Sequence, residues 1–73
     1  MTTKPAPIEI GRRLRKIRMR KKWTLAEMAK RAGMDDSNYQ KIELGKKDIQ
    51  LTTLLKILAG VGMTLEDFGR MRG

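Results

Sequence analysis

Seventy-three residues, with 17 Lys and Arg against 8 Asp and Glu, give a net charge of +9 and a pI near 10.5, in one small domain whose core barely offsets chain entropy. With no cysteine and no histidine, the chain offers no disulfide, no thiolate metal site and none of the commonest general bases, so catalysis, a metal and a cofactor are not expected. The charge favours a polyanion as partner, nucleic acid before an anionic membrane surface.

No stretch approaches the roughly 20 apolar residues of a transmembrane helix. Lys4 is followed by no hydrophobic region of the signal-peptide kind. A cytoplasmic protein is expected. Met1 to Pro7 is polar and holds both prolines, and is expected to be a loose arm (1–7) ahead of a domain over 8–69, with 70–73 frayed.

From Ile8 to about Lys21 the spacing predicts a first helix, with Ile10, Leu14 and Ile17 inward. Arg12, Arg13, Arg15, Lys16, Arg20, Lys21 and Lys22 crowd its remaining surface with no acid between them. Like charges at i,i+4 cost a few tenths of a kcal/mol each, so a solvated face normally mixes signs. Part of this run, Arg12 included, is expected to face phosphate. Arg18 falls on the inward face instead, beside Leu14 and Ile17.

Trp23 to Lys47 reads as two short helices joined by a glycine turn. Thr24 and Glu27 form a capping box, and Trp23 with Met28 can close over it as a hydrophobic staple. Leu25, Met28, Ala29 and Ala32 share the inward face, and Gly33 ends the helix. Asp35 caps the next helix, predicted over Asp36 to Leu44, and Met34 with Tyr39 repeats the staple. Tyr39 and Ile42 face the core there, which leaves Asp36, Ser37, Gln40, Lys41 and Leu44 outward. After the loop Gly45-Lys46-Lys47-Asp48-Ile49-Gln50, a fourth helix runs from Leu51 to Val61, with Leu51, Leu54, Leu55 and Leu58 as its expected core stripe. Gly62 stops it. Thr64 and Asp67 box the start of a last short helix, with Met63 and Phe68 as its staple.

The chemistry available on the third helix is that of base recognition. Lys41 can donate to guanine O6 and N7, Asp36 can accept from a cytosine amino group, and Ser37 can serve either kind of base. The competing role for Asp35 and Asp36 is capping, since carboxylates complement a helix start and are unfavourable beside phosphate.

This order of segments resembles the phage repressor and Cro class of helix-turn-helix domains, the XRE family of bacterial and phage regulators. Ala29, Gly33 and Tyr39 or Ile42 stand in register with the family's small crossing residue, turn glycine and apolar anchor. Ile42-Glu43-Leu44-Gly45-Lys46 resembles its I-E-x-G-K signature. Ile10 to Arg18, Leu54 to Leu58 and Thr64 to Phe68 resemble its first and last two helices.

The resemblance implies an all-α, compact five-helix repressor-like domain with a central helix-turn-helix. It implies a sequence-specific regulator of bacterial or phage origin, associated with the nucleoid, that binds double-stranded DNA. It also implies that Arg18 pairs with Glu43, and that Asp36, Ser37 and Lys41 are reading positions with Asn38 close by. Leu25 departs from a common glutamine, so phosphate contact at Leu25 and Ala26 has to come from backbone amides. Gln40, Lys46 and Lys47 complete the expected phosphate set with Arg12. Leu44 stands where arginine or asparagine is common, and can meet a thymine methyl, a partner subunit or nothing. Family members usually bind as symmetric dimers, with Ile49, Val61, Met63, Phe68 and Met71 as candidates for the contact, most of them equally suited to the core.

Two further readings compete. An antitoxin or protein-interaction module uses the same fold on a protein partner such as a toxin. An RNA- or membrane-surface peptide uses the charge alone and leaves the helix-turn-helix unexplained.

Overall fold

The computed structural model describes residues 7–71, so most of the expected arm (1–6) and the last two residues lie outside it. Five helices follow in order: α1 (Pro7–Lys21), α2 (Leu25–Ala32), α3 (Asp36–Glu43), α4 (Leu51–Val61) and α5 (Leu65–Gly69). Helix is the only regular secondary structure among the described residues.

Local chemistry sets the boundaries. Pro7 is the first residue of α1, one earlier than the arm assignment allows, because a proline loses nothing where an N–H has no intrahelical partner. Thr24 Oγ1 accepts from the Glu27 amide at 3.1 Å, and the Glu27 carboxylate accepts from the Thr24 amide at 2.9 Å. Thr64 and Asp67 repeat this box at α5. Gly33 adopts φ 68° and carries the chain from α2 into the turn. α3 stops at Glu43, with Leu44 as its cap.

The core gathers Leu14 and Ile17 from α1, Met28, Ala29 and Ala32 from α2, Tyr39 and Ile42 from α3, Leu54, Ile57, Leu58 and Val61 from α4, and Phe68 from α5. Each large side chain here contributes roughly 1.5–3 kcal/mol by leaving water. Ile10, Trp23, Leu25, Met34, Ile49, Met63 and Met71 pack around that centre, partly buried. α1 lies on α3, α2 lies on both α3 and α4, and α5 closes against α4.

Two helix crossings are close enough to require glycine. A Cβ on Gly11 would come within 2.3 Å of the Glu43 carbonyl oxygen, and one on Gly60 within 2.2 Å of the Arg31 carbonyl oxygen. Both glycines lie inside helices, where glycine costs up to about 1 kcal/mol against alanine. Backbone contact between helices is what offsets that cost.

The α4 stripe differs from expectation. Leu54 and Leu58 are buried as predicted, but Leu51 is 59% exposed and Leu55 43%, while Ile57 and Val61 take the inner places. The stripes 51-54-55-58 and 54-57-58-61 have identical spacing, so periodicity cannot choose between them. Gly60 decides: seating it on Arg31 turns the Leu51–Leu55 edge outward. Of the residues weighed as dimer contact or core, Val61 and Phe68 are core, and Ile49, Met63 and Met71 pack against it, partly buried.

Candidate nucleic-acid interface

The entrance to α2 is held from three sides. Arg18 donates through Nη1 to the Trp23 carbonyl at 3.0 Å. The same guanidinium meets Glu43 at the end of α3, Nε to Oε2 at 3.0 Å and Nη2 to Oε1 at 2.9 Å. The Arg18 and Glu43 side chains are only 13% and 5% exposed. Hydrogen bonding to Glu43 raises the Arg18 pKa above its ordinary value, so the charge is permanent. One planar cation thus ties α1, the start of α2 and the end of α3 together.

The Trp23 indole is flanked by two more cations. The Arg31 guanidinium lies 4.1 Å from the ring centroid and the Lys21 ammonium 5.6 Å. Both are within cation–π range. Lys22 between them adopts φ 59°, an uncommon conformation for a residue with a side chain.

Because Thr24 caps only the Glu27 amide, the Leu25 and Ala26 amides head α2 without an intramolecular acceptor. The Leu25 side chain is half-buried against the core. The backbone hydrogen bond from Thr24 holds the Glu27 carboxyl below its usual pKa, which keeps the box ionised.

Asp35 Oδ2 accepts from the Ser37 amide at 3.0 Å and the Asn38 amide at 3.4 Å. Capping is therefore its structural role. Asp36 bonds to neither amide and is exposed, together with Ser37, Asn38, Gln40 and Lys41. Helical spacing sorts these into two rows. Asp36, Gln40 and Leu44 form one row. Ser37 and Asn38 both lie one turn before Lys41 and form the other.

Tyr39 and Ile42 anchor the opposite side of α3, 0% and 1% exposed. The Tyr39 hydroxyl is buried without a well-formed hydrogen bond. Its burial, and then the neighbouring Glu43 carboxylate, push its pKa far up, so it stays neutral.

Beyond α3, Gly45 at φ 74° lets the Lys46 amide return to the Lys41 carbonyl at 3.0 Å. Lys46 and Lys47 project from this loop, both exposed. Gln50 precedes α4 without a side-chain cap, so amides at that helix start are left open as well. A shallow cleft of about 290 Å³ lies there, lined by Met34, Ile42, Lys47, Asp48, Ile49, Gln50 and Thr53.

α1 divides its cations. Arg13 does not belong to the solvated run, because its side chain is only 15% exposed. It donates to Glu9 at 3.2 Å and to the Phe68 carbonyl at 3.4 Å, with its guanidinium 5.7 Å from the Phe68 ring centroid. Arg12 is exposed and turned about 100° from Gly11, the residue that meets α3. The sequence reading missed the crossings at Gly11 and Gly60, the Arg18–Trp23 bond and the Trp23 cation stack. A glycine inside a predicted helix was the available signal for the first two.

The helix-turn-helix family model matches residues 14–68, most of the chain. The chain belongs to the helix-turn-helix family. Its similarity extends to a curated relative, control protein C.MunI from a Mycoplasma species, at 38% identity over 61 residues and 82% of each chain. Among solved structures it resembles the restriction-modification controller protein C.AhdI from Aeromonas hydrophila, with a TM-score of 0.79 and 24% identity over 85% of this chain and 94% of that one. At that identity the likeness speaks for the fold. This helix-turn-helix protein is a DNA-binding regulator of transcription. Among its described residues no helix is long and apolar enough to cross a membrane.

Proposed function

We propose that this helix-turn-helix protein is a non-enzymatic control protein of the restriction-modification kind, binding as a homodimer to a near-palindromic operator. Similarity to a control protein along most of both chains carries the reading. α3 enters the major groove. Lys41 donates to guanine, Asp36 accepts from cytosine, and Ser37 and Asn38 read beside Lys41. The open Leu25 and Ala26 amides, Gln40, Lys46 and Lys47 grip phosphates on either side and fix the register.

Dimer contact falls to the exposed leucines of α4 and α5: Leu51, Leu55 and Leu65. Two chains of net charge +9 repel each other, so they associate through a face of low charge. α4 supplies that face. Its one charged residue, Lys56, reaches toward the Gly33 carbonyl at 3.5 Å.

Selection of bound sites from random duplex DNA, at low and moderate salt, tests the reading. The expected product is an inverted repeat with half-sites about one helical turn, roughly 34 Å, apart. Sequence-blind binding that vanishes as salt rises would reject it.

A further inference from the structure

The seam between α1 and the end of α3 carries an exposed patch that the DNA and dimer surfaces leave unused. Ile8 is 61% exposed and Leu44 54%. They are brought together at Gly45, where a Cβ would come within 2.7 Å of the Ile8 Cα and Cγ1. Arg12, Arg15 and Met19 follow Ile8 along α1 at spacings of four, three and four residues, which sets all of them on one stripe about 16 Å long. Met19, at the far end, is 57% exposed.

The stripe is apolar at both ends and doubly cationic between. Nearby acids do not neutralise it, since Glu9 is held by Arg13 and Glu43 by Arg18. Among the described residues neither the Arg12 nor the Arg15 side chain makes a hydrogen bond or an ion pair. DNA would satisfy the arginines but offers a phosphate backbone nothing to gain from Ile8, Leu44 or Met19. A second copy of this chain would set arginine against arginine. An acidic amphipathic helix meets both demands, with apolar side chains for the ends and carboxylates for the middle.

We propose that this stripe docks an acidic amphipathic helix of a protein partner, with carboxylates on Arg12 and Arg15 and apolar side chains on Ile8, Leu44 and Met19. The surface is separate from the exposed leucines of α4 and α5 and reaches the outward row of α3 only at its last member, Leu44. The protein can therefore hold this partner while it is a dimer. Arg12, expected from the sequence to meet phosphate, serves the protein partner instead.

The test uses the isotope-labelled full chain titrated with a helical peptide bearing leucines on one face and glutamates beside them, followed by amide chemical shifts. Perturbations are expected around residues 8–19 and 44–45. The Arg12→Glu/Arg15→Glu double variant should weaken the peptide about tenfold or more, and a matching peptide with lysines in place of glutamates should not bind. Equal binding of the lysine peptide, or shifts centred on Leu51, Leu55 and Leu65, would overturn the proposal. A second arm measures duplex DNA binding by the same double variant. An unchanged number of released counterions supports a protein surface, whereas a salt slope smaller by about two would assign the stripe to phosphate and overturn it.

Discussion

Helices α3 and α4 each bury large apolar side chains and show the solvent opposite kinds of residue. α3 hides Tyr39 and Ile42 and presents Asp36, Ser37, Gln40 and Lys41; α4 hides Leu54, Ile57, Leu58 and Val61 and presents Leu51 and Leu55. Their attachments differ too. α3 is fastened to α1 by a glycine crossing and a nearly buried ion pair, whereas α4 meets α2 at a glycine crossing, with apolar packing and the long Lys56 contact to Gly33. A surface that reads bases has to be aimed, and an ion pair with fixed geometry aims it. A surface for another apolar face needs area more than angle.

The largest test of that contrast is Arg18→Ala. Removing one side of a buried pair strands Glu43 and should cost about 3–5 kcal/mol, against a total stability of roughly 4–11 kcal/mol for a chain of this size. Urea unfolding measures it, and a loss below about 1 kcal/mol would mean that apolar packing alone holds α3.

Leu55→Lys probes the other helix. Because Leu55 is partly exposed, the monomer should keep its stability within about 0.5 kcal/mol, while sedimentation shows single chains and affinity for a two-half-site duplex falls about a hundredfold through lost bivalency. Intact dimers would move the contact elsewhere. Gly60→Ala tests the attachment of α4. Helix propensity favours the change by about 1 kcal/mol, yet the clash with the Arg31 carbonyl should leave a net loss of about 2 kcal/mol, read from thermal melting; a gain in stability would show that the crossing can open.

On the outward side of α3, Lys41→Ala should cost about 1–3 kcal/mol for the favoured site and relax preference at one base pair. Lys46→Ala should weaken all sequences alike and lower the salt slope by about one. Competition binding on single-base variants separates these outcomes, and an unchanged motif for Lys41→Ala would remove it from the reading set.

The smallest effect belongs to the capping boxes beside the compared pair, on α2 and α5. Glu27 and Asp67 are held below the usual carboxylate pKa, each chiefly through a backbone hydrogen bond from its threonine. A depressed carboxylate pKa stabilises the fold above the unfolded value and is lost as pH falls through the folded one. Melting temperature should therefore hold from pH 7 to about 5 and fall below that, less steeply in Glu27→Gln. Melting that improves on acidification would contradict the sign.

Much of the domain was legible from residues that act within one turn of themselves. Thr24 with Glu27, Asp35, Gly33, and Thr64 with Asp67 each settle a helix end through bonds spanning a few positions, so their spacing in the chain is nearly their spacing in space. The outward set on α3 follows for the same reason, because a short helix with two anchors, Tyr39 and Ile42, has only one way to face the core.

What depended on distant partners was not legible. Arg13 sits in the same basic run as Arg12, and only the arrival of α5 covers it with Phe68. Leu51 and Leu55 have the spacing of core residues, and only Gly60 on Arg31 turns them to solvent. Ile8 and Leu44 are 36 positions apart and come near each other because α1 closes on α3 at Gly11 and Ile8 packs on Gly45, the residue after Leu44. The sequence by itself determined five helices, their caps and the outward face of α3, since hydrogen-bond spacing and side-chain period are local. Tertiary structure decided which leucines stay wet, which arginine is covered and which apolar residues of α1 and the α3 end lie near each other, since helix rotation is set by the closest backbone approach between helices, and that contact joins residues far apart in the chain.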